Sequence, residues 1–378
     1  MIKILTVIGA RPQIIKASAV SRTVANKYTD EIKEVIIHTG QHYDGNMSGV
    51  FFEEMNIPKP DYNLGVGSGS HGVQTARMIE GIEEVLMKEK PNFLNIYGDT
   101  NSTLAGAVAA SKLKIPVMHI EAGLRSFNRS MPEEINRITS DHLSAFLFSP
   151  TRTGYNNLVK EGFNPENVAP FSPDNPGIFH CGDVMYDNSL FFRDKAKIKS
   201  NILEKYSLIA DNYILSTVHR DHNTDEPQKI NAIFEALLTI ADEVPIVLPL
   251  HPRTKKMLNR TENKALLQRI EYHKGIFLIP PVSFFDVIQL EQHAQMVITD
   301  SGGVQKEAYY FQKPCIILRP QTEWVEIVET GQGYLADADL NRILDAYESY
   351  KTNKFDQFPA IFGDGKAAEF ICQKILNN

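Results

Sequence analysis

The stretch ILTVIGARPQIIK, residues 4–16, joins a short apolar run to a glycine-containing loop and then to a helix-like segment. The run is rich in β-branched residues, which is typical of a strand buried on both faces of a parallel sheet. It is too short to span a membrane, and no small-residue cleavage pattern follows it. We therefore predict a buried first strand and a following helix, the opening unit of an α/β domain.

The same alternation of apolar runs and amphipathic stretches continues along the chain, and it predicts parallel sheets covered by helices. Residues 161–182, rich in Pro, Asn and Gly, separate two series of runs and indicate a linker. We predict two doubly wound Rossmann-like domains facing across a cleft, where the carboxyl ends of the strands would bind a ligand. The predicted strands are residues 4–8, 34–38, 93–97, 116–120 and 143–148, then 213–217, 246–250, 276–279, 296–299 and 315–318.

Chain length, net charge and cysteine content bear on the number of domains, the class of ligand and the cellular compartment. The 378 residues exceed what one hydrophobic core usually holds, which favours two domains. A net charge of -7 argues against a general nucleic-acid binder. Cys181, Cys315 and Cys372 are far apart and form no C-x-x-C pair, so neither a disulfide framework nor a zinc cluster is expected, and a reducing cytoplasm fits.

Residues 9–16, GARPQIIK, form the first candidate phosphate loop. A glycine turn at a helix N-terminus presents free backbone N–H groups to an anion, with Arg11 and Lys16 nearby in sequence. A plain strand–helix turn with surface charges explains the pattern equally well. The loop matches neither the G-x-G-x-x-G fingerprint nor a Walker A loop, which argues against nicotinamide and ATP.

Two later loops carry further phosphate-binding chemistry. His219 and Arg220 follow a predicted strand and offer charge-assisted donors to a diphosphate. Ser301-Gly302-Gly303 leads from a strand into a helix, where glycines let phosphate oxygens approach the backbone. Glu307, farther along that helix, can accept hydrogen bonds from ribose hydroxyls. No metal-binding spacing such as H-E-x-x-H is present.

Three carboxylates stand near the ends of predicted strands or on the following helix. Asp99 follows one buried strand, Glu121 ends the next, and Glu133 shares a helix face with Arg137. Purely structural roles also fit these residues. Asp99 could cap the following helix, and Glu133 could form a capping box with Ser130 or a surface ion pair with Arg137. Clustered carboxylates also raise one another's pKa, which suits removal of a weakly acidic carbon-bound proton.

Taken in this order, the blocks resemble the non-hydrolysing UDP-N-acetylglucosamine 2-epimerases, from GARP at residues 9–12 to GDGKAA at residues 363–368. The resemblance implies a glycosyltransferase-B-type fold, with residues 1–175 plus 363–378 as an acid–base domain and residues 176–362 as a UDP-binding domain. It also implies a cytoplasmic homodimer that acts on a UDP-linked N-acetyl sugar for surface polysaccharide precursors. Neither a cofactor nor a metal, nucleic acid or membrane partner is expected.

The resemblance further implies a mechanism in which UDP leaves by anti elimination as the C2 proton is removed. The enzyme-bound product is a 2-acetamidoglucal, and UDP adds back after C2 is reprotonated on the other face. Stabilising the departing diphosphate is an electrostatic task, which explains cations in an acidic protein. The implied acid–base residues are Asp99, Glu121 and Glu133; the residues that stabilise the diphosphate or shape the sugar site are Arg11, Lys16, Arg137 and His219; the UDP ligands are His219, Arg220, Ser301, Gly302, Gly303 and, for the ribose, Glu307.

Two departures from the family pattern are visible. His222 stands where His-Arg-x-Glu-Asn has its glutamate, and residues 41–47, QHYDGNM, lack the Gln-His-Arg-x-Met of the substrate-activated enzymes. Residues 125–129 and 321–326 look like the subgroup acting on UDP-2,3-diacetamido-2,3-dideoxy-glucuronate, although archaeal-type UDP-N-acetylglucosamine enzymes share related features. Arg125 or Arg129 could pair with the C6 carboxylate of such a sugar.

Two other function classes fit the same architecture. A glycosyltransferase would need an acceptor and would leave free UDP, but a retaining transferase needs no base at C2. A catalytically silent UDP-sugar sensor would bind without turnover, which the intact acid–base positions argue against.

Overall fold

The computed structural model describes residues 1–40, 58–353, 355 and 357–378. Its backbone contacts divide the chain into two compact units, Met1–Asn188 with Ala360–Asn378, and Ser189–Pro359. Each unit has its own parallel sheet and its own buried apolar clusters. Residues 41–47, which bear on substrate activation, lie outside the described residues.

The first unit contains a parallel sheet with the strand order β3-β2-β1-β4-β5-β6-β7. The strands Phe93–Tyr97, Val117–Ile120 and Phe146–Ser149 are buried along their whole length, as expected for strands of a sheet covered on both faces. The chain order reverses between β1 and β4, which places the loops after these strands where doubly wound sheets bind ligands. The strands are β1 (Ile2–Ile8), β2 (Ile32–His38), β3 (Tyr62–Asn63), β4 (Phe93–Tyr97), β5 (Val117–Ile120), β6 (Phe146–Ser149) and β7 (Gly177–His180).

Helices follow most of these strands, and the strand after the helix Pro132–His142 begins three residues later than the sequence predicted. The apolar run at residues 143–148 suggested a strand, but the amides of Leu143 and Ser144 close the end of a helix that lasts to His142, so β6 begins at Phe146. The helices of this stretch are α1 (Arg11–Lys27), α2 (His71–Glu89), α3 (Asn101–Lys112), α4 (Pro132–His142) and α5 (Arg152–Lys160).

The division between the units lies later than the predicted boundary at residues 175/176. The predicted linker contains β7, which pairs in parallel with β6 from Phe146↔Gly177 to Ser149↔His180 and therefore belongs to the first sheet. The next helix, α6 (Val184–Lys199), contains the division at residues 188/189. The chain returns to the first unit at Ala360 rather than at residue 363.

The second unit repeats the design with a parallel sheet of order β10-β9-β8-β11-β12-β13. The strands are β8 (Ile214–Thr217), β9 (Ile246–Pro249), β10 (Ile276–Ile279), β11 (Met296–Thr299), β12 (Cys315–Ile317) and β13 (Gly333–Leu335). The helices are α7 (Ile202–Lys205), α8 (Asp221–Thr224), α9 (Pro227–Ala241), α10 (Pro252–Leu258), α11 (Lys264–Tyr272), α12 (Phe284–His293), α13 (Gly302–Tyr310), α14 (Val325–Glu329) and α15 (Leu340–Thr352), with a 3₁₀ turn at Thr261–Asn263.

The C-terminal helix α16 (Ala367–Leu376) packs against α1. Asp187 caps its first turn, because its two carboxylate oxygens accept hydrogen bonds from the amides of Ala367 (3.1 Å) and Ala368 (2.8 Å). The two parallel α/β units confirm the predicted Rossmann-like fold class. Among the described residues, none of the helices combines the length and apolarity that crossing a membrane requires.

Candidate active site

Asp99 follows β4 and lies beside a helix that supplies its partner. Arg137 of α4 donates from Nη2 to Asp99 Oδ2 at 2.6 Å, and Asn136 Nδ2 donates to the Asp99 backbone carbonyl at 2.9 Å. Loss of hydration raises the pKa of Asp99 above its usual range, against the opposing charges of Arg137 and Lys16. Asp99 is therefore held in place as a carboxyl group with increased proton affinity.

Glu121 lies at the end of β5 and forms an ion pair with Lys16 of α1. Its φ of 74° is unusual for a residue with a side chain, and its backbone N–H donates to the Phe148 carbonyl at 3.0 Å. A Cβ atom on Gly98 would lie 3.3 Å from both Glu121 Oε2 and Lys16 Nζ. Gly98, itself at φ 64°, thus allows the loop before Asp99 to pass close to this ion pair.

These contacts bring four of the predicted site residues together in the first unit. The charge of Glu121 is close enough to Asp99 to contribute to the raised pKa of that carboxyl group. Lys16 and Arg137 supply the two balancing cations. The cluster joins two carboxylates and two cations from four different chain segments: Lys16, Asp99, Glu121 and Arg137.

The structure rules out the structural roles proposed above for Glu133. Helix α4 begins at Pro132 after Met131, so Ser130 is not its cap; the Ser130 hydroxyl instead donates to Asn128 Oδ1 at 2.6 Å. Glu133 is exposed on the first turn, and within the described residues it forms no ion pair with Arg137. Its carboxylate is consequently free of the two bonds that the capping box and the surface pair would require.

The neighbouring Glu134 is a structural residue that the sequence analysis did not identify. Its side chain is 1% exposed, and it accepts hydrogen bonds from the backbone amides of Ser126 and Phe127, each at 2.9 Å. It also lies 3.3 Å from Arg137 Nη1. Glu134 therefore fixes both the loop before α4 and the guanidinium group that contacts Asp99.

The predicted anion site at the N-terminus of α1 is largely filled by the protein itself. Gln13 Oε1 accepts hydrogen bonds from the amides of Gly9 (2.9 Å) and Ala10 (3.1 Å). Its Nε2 donates to the Tyr97 carbonyl at 2.9 Å. The expectation of free amides in this loop was wrong, because a side chain from the first helical turn engages them; the exposed Arg11 side chain remains a candidate.

In the second unit, a buried aspartate organises the loop that carries His219. Asp300 Oδ2 accepts hydrogen bonds from the backbone amides of His219 and Arg220, each at 2.9 Å, and from Asn223 Nδ2 at 3.1 Å. The His219 Nδ1 atom lies 3.3 Å from Asp300 Oδ1. Burial lowers the pKa of His219 despite the opposing charge of Asp300, and the neighbouring His251 lowers it further.

An apolar pocket of ≈ 200 Å³ adjoins this histidine pair. His219 and His251 both line it, with their ring centroids 5.2 Å apart. Pro281, Val282 and Val304 are among the apolar residues that line it. An apolar recess beside two polar imidazole rings suits a flat base with a polar substituent.

The glycine loop after β11 leads into α13, with Ser301 as the cap of that helix. A Cβ atom on Gly302 would lie 2.7 Å from Glu323 Oε1, so a larger residue there would displace the end of the Glu323 side chain, which forms an ion pair with Arg319. Gly303 is exposed. The role of this loop in binding phosphate stays a prediction.

Glu307 of α13 interacts with another carboxyl group. Glu291 of α12 is fully buried, and burial together with Glu307 raises its pKa well above the usual range. The proton affinity of Glu291 is therefore increased, and the half-buried Glu307 is the more accessible of the two side chains. The described residues include no cluster of His, Cys, Asp or Glu arranged to hold a metal ion.

Arg125, proposed above as a partner for a sugar carboxylate, is fully engaged in the interior. Its side chain is 1% exposed; Nη2 lies 2.7 Å from Asp141 Oδ2, and Nε donates to Glu161 Oε1 at 2.6 Å. The expectation for Arg125 was wrong, because two carboxylates already neutralise it. Arg129, on the following loop, is exposed.

Comparisons with known proteins place the chain in a family. The family model described as UDP-N-acetylglucosamine 2-epimerase matches residues 25–376. A UDP-2,3-diacetamido-2,3-dideoxy-D-glucuronate 2-epimerase of Pseudomonas aeruginosa is 46% identical, with 98% of each chain covered. A UDP-N-acetylglucosamine 2-epimerase of Methanococcus maripaludis is 43% identical, covering 98% of this chain and 97% of the relative.

A solved structure supports the same assignment. The Methanocaldococcus jannaschii UDP-GlcNAc 2-epimerase in complex with UDP-GlcNAc and UDP is 41% identical, covers 100% of both chains and has a TM-score of 0.83. The resemblance drawn from the sequence blocks is thereby confirmed over nearly the whole chain. The protein belongs to the UDP-N-acetylglucosamine 2-epimerase family and is an isomerase.

Proposed function

We propose that this chain interconverts UDP-N-acetylglucosamine and UDP-N-acetylmannosamine by inverting C2, without net hydrolysis. The observation that carries the proposal is the cluster of Asp99 and Glu121 with Lys16 and Arg137. A proton at C2, beside an acetamido group, is only weakly acidic, so its removal needs a positioned base whose pKa lies above the usual carboxyl range. The raised pKa of Asp99 meets that requirement.

The proposed reaction consists of two reversible steps, and atoms and electrons balance in each. In the first, the C2–H bond breaks and a carboxylate takes the proton, while the C1–O bond breaks and its electron pair leaves with UDP. The double bond formed between C1 and C2 gives a 2-acetamidoglucal. In the second, a carboxyl group returns a proton to the opposite face of C2, and UDP adds to C1; Asp99, Glu121 and Glu133 share these acid and base roles.

Cations stabilise the charge that develops on the departing diphosphate. Lys16 and Arg137 border the carboxylates, Arg11 is exposed at the start of α1, and His219 is the candidate from the second unit. A neutral His219 has a proton to gain when a diphosphate binds, because the added negative charge favours the imidazolium form. These positive groups lower the barrier by electrostatic stabilisation of the leaving group.

The second unit supplies the nucleotide contacts in this proposal. Arg220 and the backbone of Ser301-Gly302-Gly303 bind the diphosphate, and Glu307 accepts from the ribose hydroxyls. The apolar pocket beside His251 takes the uracil ring. The N-terminus of α13 adds the favourable field that a helix offers an anion.

The test is an NMR assay in D₂O with UDP-N-acetylglucosamine and no added nicotinamide or metal. We expect gluco- and manno-configured UDP sugars to approach equilibrium while deuterium enters at C2. Turnover that leaves C2 fully protonated would exclude the elimination route. Accumulation of free UDP that requires an acceptor would instead indicate a glycosyltransferase, and tight binding with no turnover a sensor.

A second substrate, UDP-2,3-diacetamido-2,3-dideoxy-glucuronate, is favoured by the 46% identity to the Pseudomonas aeruginosa relative. The loop held by Glu134 supports this reading, because it presents Arg129 at the surface as a possible partner for a C6 carboxylate. The two sugars should be compared side by side at C2. An Arg129→Gln variant that loses activity on the glucuronate alone would support this substrate.

The proposal includes a cytoplasmic homodimer, as the family resemblance implies. All three cysteines are unpaired, which suits a reducing compartment. Light scattering of the purified protein should give twice the mass of the chain.

A further inference from the structure

His119 is a fully buried histidine whose two ring nitrogens are both engaged. Nδ1 lies 2.6 Å from Asp141 Oδ1, and Nε2 lies 2.7 Å from the carbonyl oxygen of Gly98. Both partners are hydrogen-bond acceptors, and an imidazole ring can reach both at once because its two nitrogens lie on different sides of the ring. The ring therefore bridges α4 and the loop that precedes Asp99.

Asp141 anchors this ring and is itself completely buried. Its second oxygen accepts from the Gly123 amide at 3.1 Å and lies 2.7 Å from Arg125 Nη2, and Arg125 continues to Glu161. Although burial opposes its ionisation, the charges of His119 and Arg125 keep the pKa of Asp141 below its usual value. Acidic and basic side chains thus alternate along this network, which compensates the buried charge of Asp141. An unpaired charge in the same place would destabilise the folded protein.

Gly98 is the point where this network meets the candidate active site. Its amide donates to the Ile120 carbonyl at 3.0 Å, and its own carbonyl accepts from His119. Both sides of Gly98 are therefore bonded to β5, immediately before Asp99 and immediately beside Glu121. A shift of the His119 ring would move the start of the Asp99 loop relative to the end of β5.

We infer that His119 and Asp141 form a positioning pair that fixes the Asp99 carboxylate relative to Glu121. The inference rests on the acid–base roles proposed above for those two carboxylates. The pair acts through Gly98 and the backbone of β5, and it leaves the nucleotide-binding groups of the second unit untouched. Placement errors of about 1 Å can cost about 100-fold in rate even when all reacting groups remain.

The experiment compares His119→Gln with His38→Gln, since His38 is also a buried histidine at a strand end, where its Nδ1 accepts from the Gly40 amide at 3.0 Å. For His119→Gln we expect kcat to fall about 10- to 100-fold, with KM and the Kd for UDP changed less than about threefold. For His38→Gln we expect a comparable loss in Tm without that fall in kcat. Asp141→Asn, which keeps the size of the side chain, repeats the test if His119→Gln does not fold.

A double-mutant cycle with Asp99→Glu distinguishes positioning from general weakening. Asp99→Glu keeps a carboxylate but displaces it, so His119→Gln should cost less than about threefold in that background, since effects of coupled residues are not additive. Fully additive losses, a folded His119→Gln with unchanged kcat, or an equal fall in kcat for His38→Gln would each overturn the inference.

Failure of the proposed function would look different. If Asp99→Asn and Glu121→Gln both kept wild-type turnover, the acid–base assignment itself would be lost, whatever His119 does. If those variants were inactive while His119→Gln turned over normally, the positioning inference alone would fail.

Discussion

The loops after the strands of the two units use carboxylates in opposite ways. In the first unit, Asp99 and Glu121 form ion pairs with side chains, and the pKa of Asp99 is raised. In the second unit, Asp300 is completely buried and binds mainly the backbone amides of its neighbouring loop. The first arrangement sets carboxylates against cationic side chains, whereas the second fixes the backbone of the His219 loop.

We expect the largest effect from substitutions of Asp99 and Glu121 in the first unit. We expect Asp99→Asn and Glu121→Gln each to lower kcat about 1,000-fold, because neither amide can take up the C2 proton. The Kd for UDP should change much less than kcat, since Arg220, the Ser301–Gly303 backbone and Glu307 of the second unit provide most of the proposed nucleotide contacts. Glu84→Gln, on the exposed face of α2, is the control that removes one carboxylate elsewhere. Comparable activity in all three variants would contradict the role of the cluster.

Substitution of Asp300 in the second unit should weaken UDP binding rather than lower the rate of the chemical step. Asp300→Asn directs an amide group toward backbone N–H donors, at a cost of about 1–3 kcal/mol in unfolding free energy. We expect the Kd for UDP, measured by calorimetry, to rise about 10- to 100-fold as the His219 loop loosens. Asp225→Asn removes a partly exposed charge near the same loop, where an ion pair contributes little. Unchanged UDP binding in Asp300→Asn would contradict the comparison.

We expect a smaller effect at Gly98, where the geometry of Asp99 and Glu121 depends on the backbone conformation. Gly98→Ala places a Cβ atom 3.3 Å from Glu121 and Lys16 and forces alanine into a positive φ, at a cost of about 1 kcal/mol. We expect kcat to fall about tenfold. Gly65→Ala is a matched control, since its φ is 59° and its Cβ would meet nothing within 4 Å. Chemical denaturation should show similar destabilisation in both, and equal kcat values would argue against a close fit at Gly98.

The smallest effect concerns pH. The pKa of His219 lies below the ordinary histidine value in the free protein, and a bound diphosphate should raise it, so UDP binding takes up a proton. UDP affinity should therefore increase as pH falls from neutrality toward the free-protein pKa. His219→Gln should remove this part of the pH dependence, and the part that remains reports the titration of UDP itself. Identical pH profiles for the two proteins would show that His219 does not titrate on binding.

The positions of most strands and of the candidate carboxylates follow from local sequence. β-Branched runs such as residues 93–97 and the residues directly after them reveal where a parallel sheet presents polar groups. Which carboxylate is buried depends on tertiary contacts, so Glu134 could not be separated from Glu133 by helical spacing alone. The structural roles of Asp141 and Asp300 likewise depend on loops distant in sequence, although Asp300 directly follows a strand.

The boundary between the units shows a different limit. Residues 161–182 have the composition of a connecting segment, and much of that stretch is indeed irregular. The short strand at Gly177–His180 is recognisable only by its partner β6, because four residues carry too little periodicity. Sheet membership, rather than composition, therefore decides where the first unit ends.

The two Rossmann-like units have similar topologies, but the Gln13 side chain makes the loop after the first strand of the first unit different. Its carbonyl oxygen occupies, from within the protein, the place that a ligand oxygen takes in a phosphate-binding turn. A nucleotide approaching the β1 loop would have to displace an intramolecular competitor whose effective concentration is high. A substitution such as Gln13→Ala would free two amides there, and the same change could create a second, unproductive nucleotide site.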